Sequence, residues 1–338
     1  MLTAIWAIAI FCVLIFIHEF GHFIVARLCK MTVHEFSIGM GPKIFGFGKG
    51  KTRYNIRLLP LGGFVALEGE NGDSDDPDAF CNKSAFKRFC VLVAGAFMNV
   101  LLGFLIFTII FSTVSFGTNV VESVVPGSAF EQAGIKPGDI ITKIEGEKYS
   151  GSIHSVRDVN FFISLNGDGE ATVTYKRDGQ KHTVNVTPKK DEESGRIIFG
   201  FTTTELENNF FAWITAAFWE CVFVIKSVYL SLWWLITGAI PASSMSGPVA
   251  IVSEIGNAAS YGWQSVLNLA AFISVNLGVM NLLPIPALDG GRILFLIIEK
   301  IRGKKMNPEK EGMINFVFFA ILIGLMLLVT FSDISKMF

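Results

Sequence analysis

Met1 to Ile17 holds no charged residue, and His18-Glu19-Phe20-Gly21-His22 follows at once. An apolar run of that length is a membrane-helix candidate, and ionisable residues set inside one mark a functional site by default. On a helix, residues four apart share a face, so His18 and His22 can offer ring nitrogens to one metal ion. Glu19 sits one step round and can take a proton from water beside that ion. The competing reading is two histidines satisfied by backbone or polar partners in a helix bundle. Because H-E-x-x-H supplies only two ligands, a third must come from elsewhere in the chain.

The chain's 338 residues are 51% hydrophobic and 17% charged, with mean hydropathy +0.52, the balance of an integral membrane protein. A formal net charge of −1 and the lack of any basic block exclude nucleic acid as a partner class. The five cysteines (Cys12, Cys29, Cys81, Cys90 and Cys221) form no C-x-x-C pair, so neither a disulfide framework nor a thiolate zinc site is expected. The N-terminus lacks a basic flank, so the first apolar run is read as a retained span rather than a signal peptide.

That span runs from about Leu2 to Val25, with Arg27 and Lys30 after it, which places the N-terminus outside and these charges in the cytoplasm. At 1.5 Å per residue His18 lies ~25 Å from the outer end, inside the membrane and nearer its cytoplasmic face. Within 31–69, short strands are expected at Thr32–Ile38, Lys43–Phe47, Thr52–Leu58 and Gly63–Leu67, with a turn at Gly48-Lys49-Gly50-Lys51. His34-Glu35 has no histidine at position 38 and is not a second metal motif. Glu68 to Asp78 carries six acidic residues without calcium-loop spacing, and reads as a solvated loop.

After Lys83, Lys87 and Arg88, an uncharged stretch at about 89–116 forms the second span, in which Gly95 and Asn99 read as helix-packing residues at least as readily as residues with a direct role. Residues 117–190 are soluble in character, with strands at Asn119–Val125, Asp139–Ile144, Ala171–Arg177 and Lys181–Val186 and a helix near Val156–Leu165. Phe210 to Thr237 is apolar enough to span but carries Glu220 and Lys226. Because a crossing there would leave the far end of the next span on the wrong side to meet His18, it is read as lying in the outer interface or dipping in without crossing, within an extracytoplasmic region 191–264. A third span from about Ser265 ends in Asn281-Leu282-Leu283-Pro284-Ile285-Pro286-Ala287-Leu288-Asp289-Gly290-Gly291-Arg292. Two prolines cannot continue a regular helix, and irregular backbone at membrane depth belongs inside protein or beside water. Asp289 comes to a depth similar to that of His18. Two imidazoles and a carboxylate leave a fourth tetrahedral position open, as in catalytic zinc sites. A capping aspartate before a glycine turn is the alternative. Lys300, Arg302, Lys304 and Lys305 make the next cytoplasmic loop, and 313–331 is the last span.

Together, H-E-F-G-H, Ser246-Gly247-Pro248-Val249-Ala250-Ile251 and N-L-L-P-I-P-A-L-D-G-G-R resemble the site-2 protease family, and most closely the regulator of sigma-E protease type. The stretch from Val125-Pro126-Gly127-Ser128 to Gly138-Asp139-Ile140-Ile141 resembles a PDZ domain of bacterial envelope proteases. The resemblance implies a polytopic α-helical membrane protein of about four transmembrane helices, with a membrane-associated β segment and an inserted α+β PDZ domain. It implies zinc held by His18, His22 and Asp289, with Glu19 as general base. Asn281 and Pro284 correspond to positions implicated in substrate handling, and Gly63-Phe64-Val65 to a strand that pairs with unwound substrate. The implied reaction is regulated intramembrane proteolysis of single-span membrane proteins, anti-sigma factors or signal-peptide remnants, in the bacterial cytoplasmic membrane. A catalytically silent PDZ adaptor is the alternative function. A zinc transporter is disfavoured by the single acidic-histidine cluster.

Overall fold

The computed structural model describes residues 2–48, 50–70, 72–190, 195, 197–241, 246–304 and 306–336. Lys49, in the expected turn, and Lys305, in the last basic loop, lie outside them. The chain divides into two compact units, one from Met1–Phe107 with Glu220–Phe338 and the other Thr108–Trp219.

In chain order the elements are α1 (Leu2–Leu28), β1 (Val33–Phe47), β2 (Arg53–Leu67), α2 (Ala85–Phe111), β3 (Gly117–Val124), α3 (Ala129–Gln132), β4 (Ile140–Glu145), β5 (Ser150–Ser152) and α4 (Val156–Asn166). There follow β6 (Ala171–Arg177), β7 (Gln180–Val186), β8 (Lys189–Lys190), β9 (Ile197–Ile198), β10 (Phe201–Glu205), α5 (Phe210–Thr237), α6 (Pro248–Ser260), α7 (Trp263–Asn281), α8 (Asp289–Arg302) and α9 (Pro308–Ser335). Helix starts follow local chemistry. Pro248 and Pro308 occupy first-turn positions where a missing N–H costs nothing, and the Asn307 side chain accepts from Glu309 N.

In the first unit α2 packs between α1 and α7 through small residues that let backbones touch. A Cβ on Gly21 would lie 2.5 Å from Ala94 O, and one on Gly278 2.7 Å from Ala96 O. Ser274 Oγ donates to Asn99 O at 2.7 Å. Contacts climb α1 as they descend α2 (His18 with Asn99, His22 with Val91), and the same holds for α7 against α2 (Ser274 with Asn99, Gly278 with Ala96). α1 and α7 therefore run in the same direction.

β1 and β2 are long strands that turn back along their length. Segment 33–38 pairs antiparallel with 63–67 and also lies beside 53–56, while 43–47 pairs with 54–57. The four short strands expected from the sequence are thus present as segments of two.

The second unit is built on a sheet of order β10-β3-β4-β6-β7, with β5 paired to β4. Phe130, Ile141, Ile144, Phe162, Val173 and Phe199 form its core. Ser155 and Asp158 close a capping box at the start of α4. The strands and helix expected here all form. The sheet, however, does not end at 190: β10 pairs with β3 through Phe201–Val124 and Thr202–Ser123, and Phe199 is 1% exposed. This strand completes the free edge of β3.

Among the described residues, five helices (α1, α2, α5, α7 and α9) are long and apolar enough to cross a membrane, one more than expected. The additional one is α5, an unbroken helix of 28 residues in which Glu220 is buried and Lys226 half-buried.

Candidate metal centre

His18 and His22 come from adjacent turns of α1, and Asp289 from the first residue of α8. The connector between α7 and α8 folds over the opening turn of α8. A Cβ on Gly290 would strike the carbonyls of Leu282 and Leu283, and one on Gly291 that of Ile285. The two glycines after Asp289 are therefore a steric requirement of the connector. Arg292, one turn on, pairs with Glu70 in the loop after β2, and Arg88 at the start of α2 makes a bidentate pair with Glu299 at 3.0 Å in both bonds. These pairs tie α8 to both neighbours and fix the direction from which Asp289 enters. They also line a cleft of about 190 Å³, whose paired charges do not make it a second metal site.

His18, His22 and Asp289 form the one group of three or more ligand-type side chains that converges among the described residues. The two Nε2 atoms lie 3.2 Å apart, and Asp289 Oδ2 is 3.2 Å from His18 Nε2 and 3.3 Å from His22 Nε2. A zinc–ligand bond of 2.0–2.1 Å sets a tetrahedral edge of about 3.3 Å, so the spacing is that of three corners of a zinc tetrahedron. His22 Nδ1 donates to Val91 O at 2.7 Å, which leaves the lone pair on Nε2. Asp289 Oδ2 is buried and has no hydrogen-bond partner. Acceptors aimed at one point repel one another, and a cation reconciles them. The residues fit zinc, and nitrogen and oxygen donors without thiolate are a catalytic zinc set.

Gly95 and Asn99, for which the sequence left packing and a direct role both open, lie against the histidines. A Cβ on Gly95 would collide with His22 Nε2 and lie 2.8 Å from His18 Cε1. The Asn99 amide is 3.3 Å from His18 Nδ1, and its Oδ1 is buried without a partner. Turning that amide over lets His18 Nδ1–H donate to Oδ1, giving His18 the same tautomer as His22. A glycine and an asparagine four apart on one helix face were the available signal.

Glu19 packs against β2: a Cβ on Gly63 would lie 2.9 Å from Glu19 Cγ and 2.9 Å from Ser37 O. Val65 is buried against α1 near Phe16 and Phe20, and the Phe64 ring lies 5.0 Å beneath the Arg57 guanidinium. Asn281 is the last residue of α7, and Pro284 is exposed in the connector. Neither belongs to the group of three converging side chains. His34 bonds instead to Glu68 Oε2 at 2.5 Å, away from this centre.

Comparison with known proteins bears on this geometry. A family-wide sequence model, that of peptidase family M50, matches residues 6–325. The chain belongs to peptidase family M50. It is 39% identical over 331 residues to a Clostridium acetobutylicum protein provisionally named a zinc metalloprotease, covering 97% of this chain and 96% of that one. It is 32% identical over 422 residues to the zinc metalloprotease RasP of Shouchella clausii, covering 100% of both chains. The regulator of sigma-W protease RasP of Bacillus subtilis is 31% identical over 421 residues, with 99% of each chain covered. Membership in M50 makes this chain a zinc metalloendopeptidase with site-2 protease relatives, as the sequence motifs implied.

Proposed function

We propose that this M50 member is an intramembrane endopeptidase. His18, His22 and Asp289 would hold the zinc ion, and Glu19 would be the general base. The observation that carries this is the tetrahedral-edge spacing of three acceptors, with Glu19 beside them and a strand edge beside Glu19. Bound there, zinc supplies a Lewis acid that acidifies water and polarises a peptide carbonyl. Glu19 takes the proton of the attacking water and returns it to the leaving amine. Val91 O and Asn99 hold the imidazoles in the tautomer that binds metal.

A transmembrane helix hides its carbonyls in its own hydrogen bonds, so substrate must unwind to be cut. Segment 63–67 pairs with 33–38 along one edge, and Gly63 lets the strand approach Glu19 closely. An unwound substrate would add to the other edge, placing its backbone at Glu19. Gly63, Phe64 and Val65 would then be the pairing residues, and Asn281 and Pro284 would act where the α7 connector meets that substrate.

The substrates in this reading are single-span membrane proteins, either anti-sigma factors or signal-peptide remnants. The name of the Bacillus subtilis relative, a regulator of sigma-W, supports the first. The protein would sit in the bacterial cytoplasmic membrane, with the site toward the cytoplasm and a PDZ-like domain formed by β3 to β10 outside. Since α1 and α7 run in one direction, the stretch between α2 and α7 must start and finish on one side. If α5 crosses, then residues 238–262 must return, and α6 alone spans only ~20 Å.

The test is cleavage of a single-span substrate in proteoliposomes by wild type and Glu19→Gln, with zinc measured in both. The reading expects equal zinc and a rate lower by about 10²- to 10⁴-fold in the variant. Full activity in Glu19→Gln would remove Glu19 from the mechanism.

A further inference from the structure

The connector that delivers Asp289 contains a residue in an unfavourable backbone conformation. Ala287, two positions before Asp289, has φ +75°, in the left-handed region that residues with a Cβ avoid. Its N–H donates to Asn315 Oδ1 at 3.0 Å, across a sequence separation of 28. Neighbouring connector bonds are local: Ile285 N to Leu283 O at 2.7 Å and Leu288 N to Ile285 O at 3.2 Å. Asn315 is thus the part of α9 that reaches into the fold of the connector.

The rest of α9 makes the contrast clear. Asp333 is its one buried residue, and Phe316, Phe319, Leu328 and Phe331 are all exposed. Asp333 Oδ2 accepts from Ala250 N at 3.0 Å, at the start of α6 and near the opposite end of α9. Among the described residues, two side-chain-to-backbone bonds tie the helix to the unit. One serves the start of α6, and the other serves the Asp289 connector.

We infer that Asn315 is a positioning residue for Asp289: by accepting from Ala287 N–H it holds the left-handed turn that aims the carboxylate at His18 and His22. Without it, that part-buried N–H loses its partner, and the turn relaxes toward φ below zero. Asp289 then swings away from the imidazoles and zinc is held less firmly. This rests on His18, His22 and Asp289 being the zinc ligands.

The experiment is the rate at which purified full-length protein yields zinc to a chromogenic chelator. It is run on wild type, Asn315→Leu, Ala287→Gly, the double variant and Asp333→Asn, with thermal unfolding of each. Asn315→Leu is expected to release zinc about tenfold faster, within the range for lost outer partners of a ligand. Glycine tolerates φ above zero, so in the Ala287→Gly background the same change should cost less than about threefold. Asp333→Asn should stay within about twofold of wild type. An equal acceleration in both backgrounds would overturn the positioning role, as would an Asp333→Asn effect as large as that of Asn315→Leu. Either would mean that Asn315 only docks α9. A wild type that carries no zinc would instead sink the metal assignment beneath the inference.

Discussion

Gly95 shows how little room the centre allows at the residue scale. Its missing side chain is the space that His18 and His22 fill, so any Cβ there pushes the imidazoles off their common point. Gly95→Ala should keep the helix, since alanine favours it, yet weaken zinc retention by roughly ten- to a hundred-fold in a chelator-competition titration. Unchanged retention would show that the rings have room to move. At this scale the sequence was most informative where chemistry is concentrated. His18, Glu19 and His22 announce themselves by spacing, and Asp289 by two prolines and two glycines at matching depth. Asn99 stood out without its role being settled and Asn315 did not stand out at all, because an asparagine on a helix face looks the same whether it bonds a neighbouring helix, an imidazole or a strained connector. Only the fold shows which.

Elements were legible where their periodicity was strong. Strands β3, β4, β6 and β7 of the second unit and α4 follow alternation and capping signals closely. β10 was missed because five residues, Phe-Thr-Thr-Thr-Glu, form a weak strand by themselves and gain their reason from the open edge of β3. α5 was read as non-crossing on parity, since a crossing there would carry the far end of the next span away from His18; its length and apolar composition are nonetheless those of a helix able to span. The sheet also contains a titratable clasp. Asp139, just before β4, is buried; burial opposes its ionisation, but the Arg177 guanidinium (2.8 and 2.7 Å) and Lys136 N–H (2.8 Å) outweigh that and hold its carboxyl below the ordinary range. A carboxyl with a depressed folded pKa stabilises above its unfolded value near ~3.9, and that contribution fades as pH falls through the folded value. Hydrogen exchange across 117–205 in the full chain should thus show Asp139→Asn less protected by about 1–3 kcal/mol at neutral pH. Wild type should converge on the variant as pH drops below ~4. A difference independent of pH would contradict this.

At the scale of the whole molecule, composition identified a membrane protein, and the motifs in order indicated a metalloprotease. The M50 match over residues 6–325 agrees with both. What composition and motif order could not supply is convergence: Asp289 stands 271 positions after His18 (289 − 18), and their meeting depends on α1 and α7 passing α2 in the same direction. The central claim is that this convergence is a zinc site. Zinc K-edge X-ray absorption on the purified full-length protein tests it most directly. The account predicts one zinc per chain with only nitrogen and oxygen neighbours at about 2.0–2.1 Å, and loss of the metal in His22→Ala. A sulfur shell near ~2.3 Å, or an unchanged spectrum in His22→Ala, would place the zinc elsewhere and contradict it.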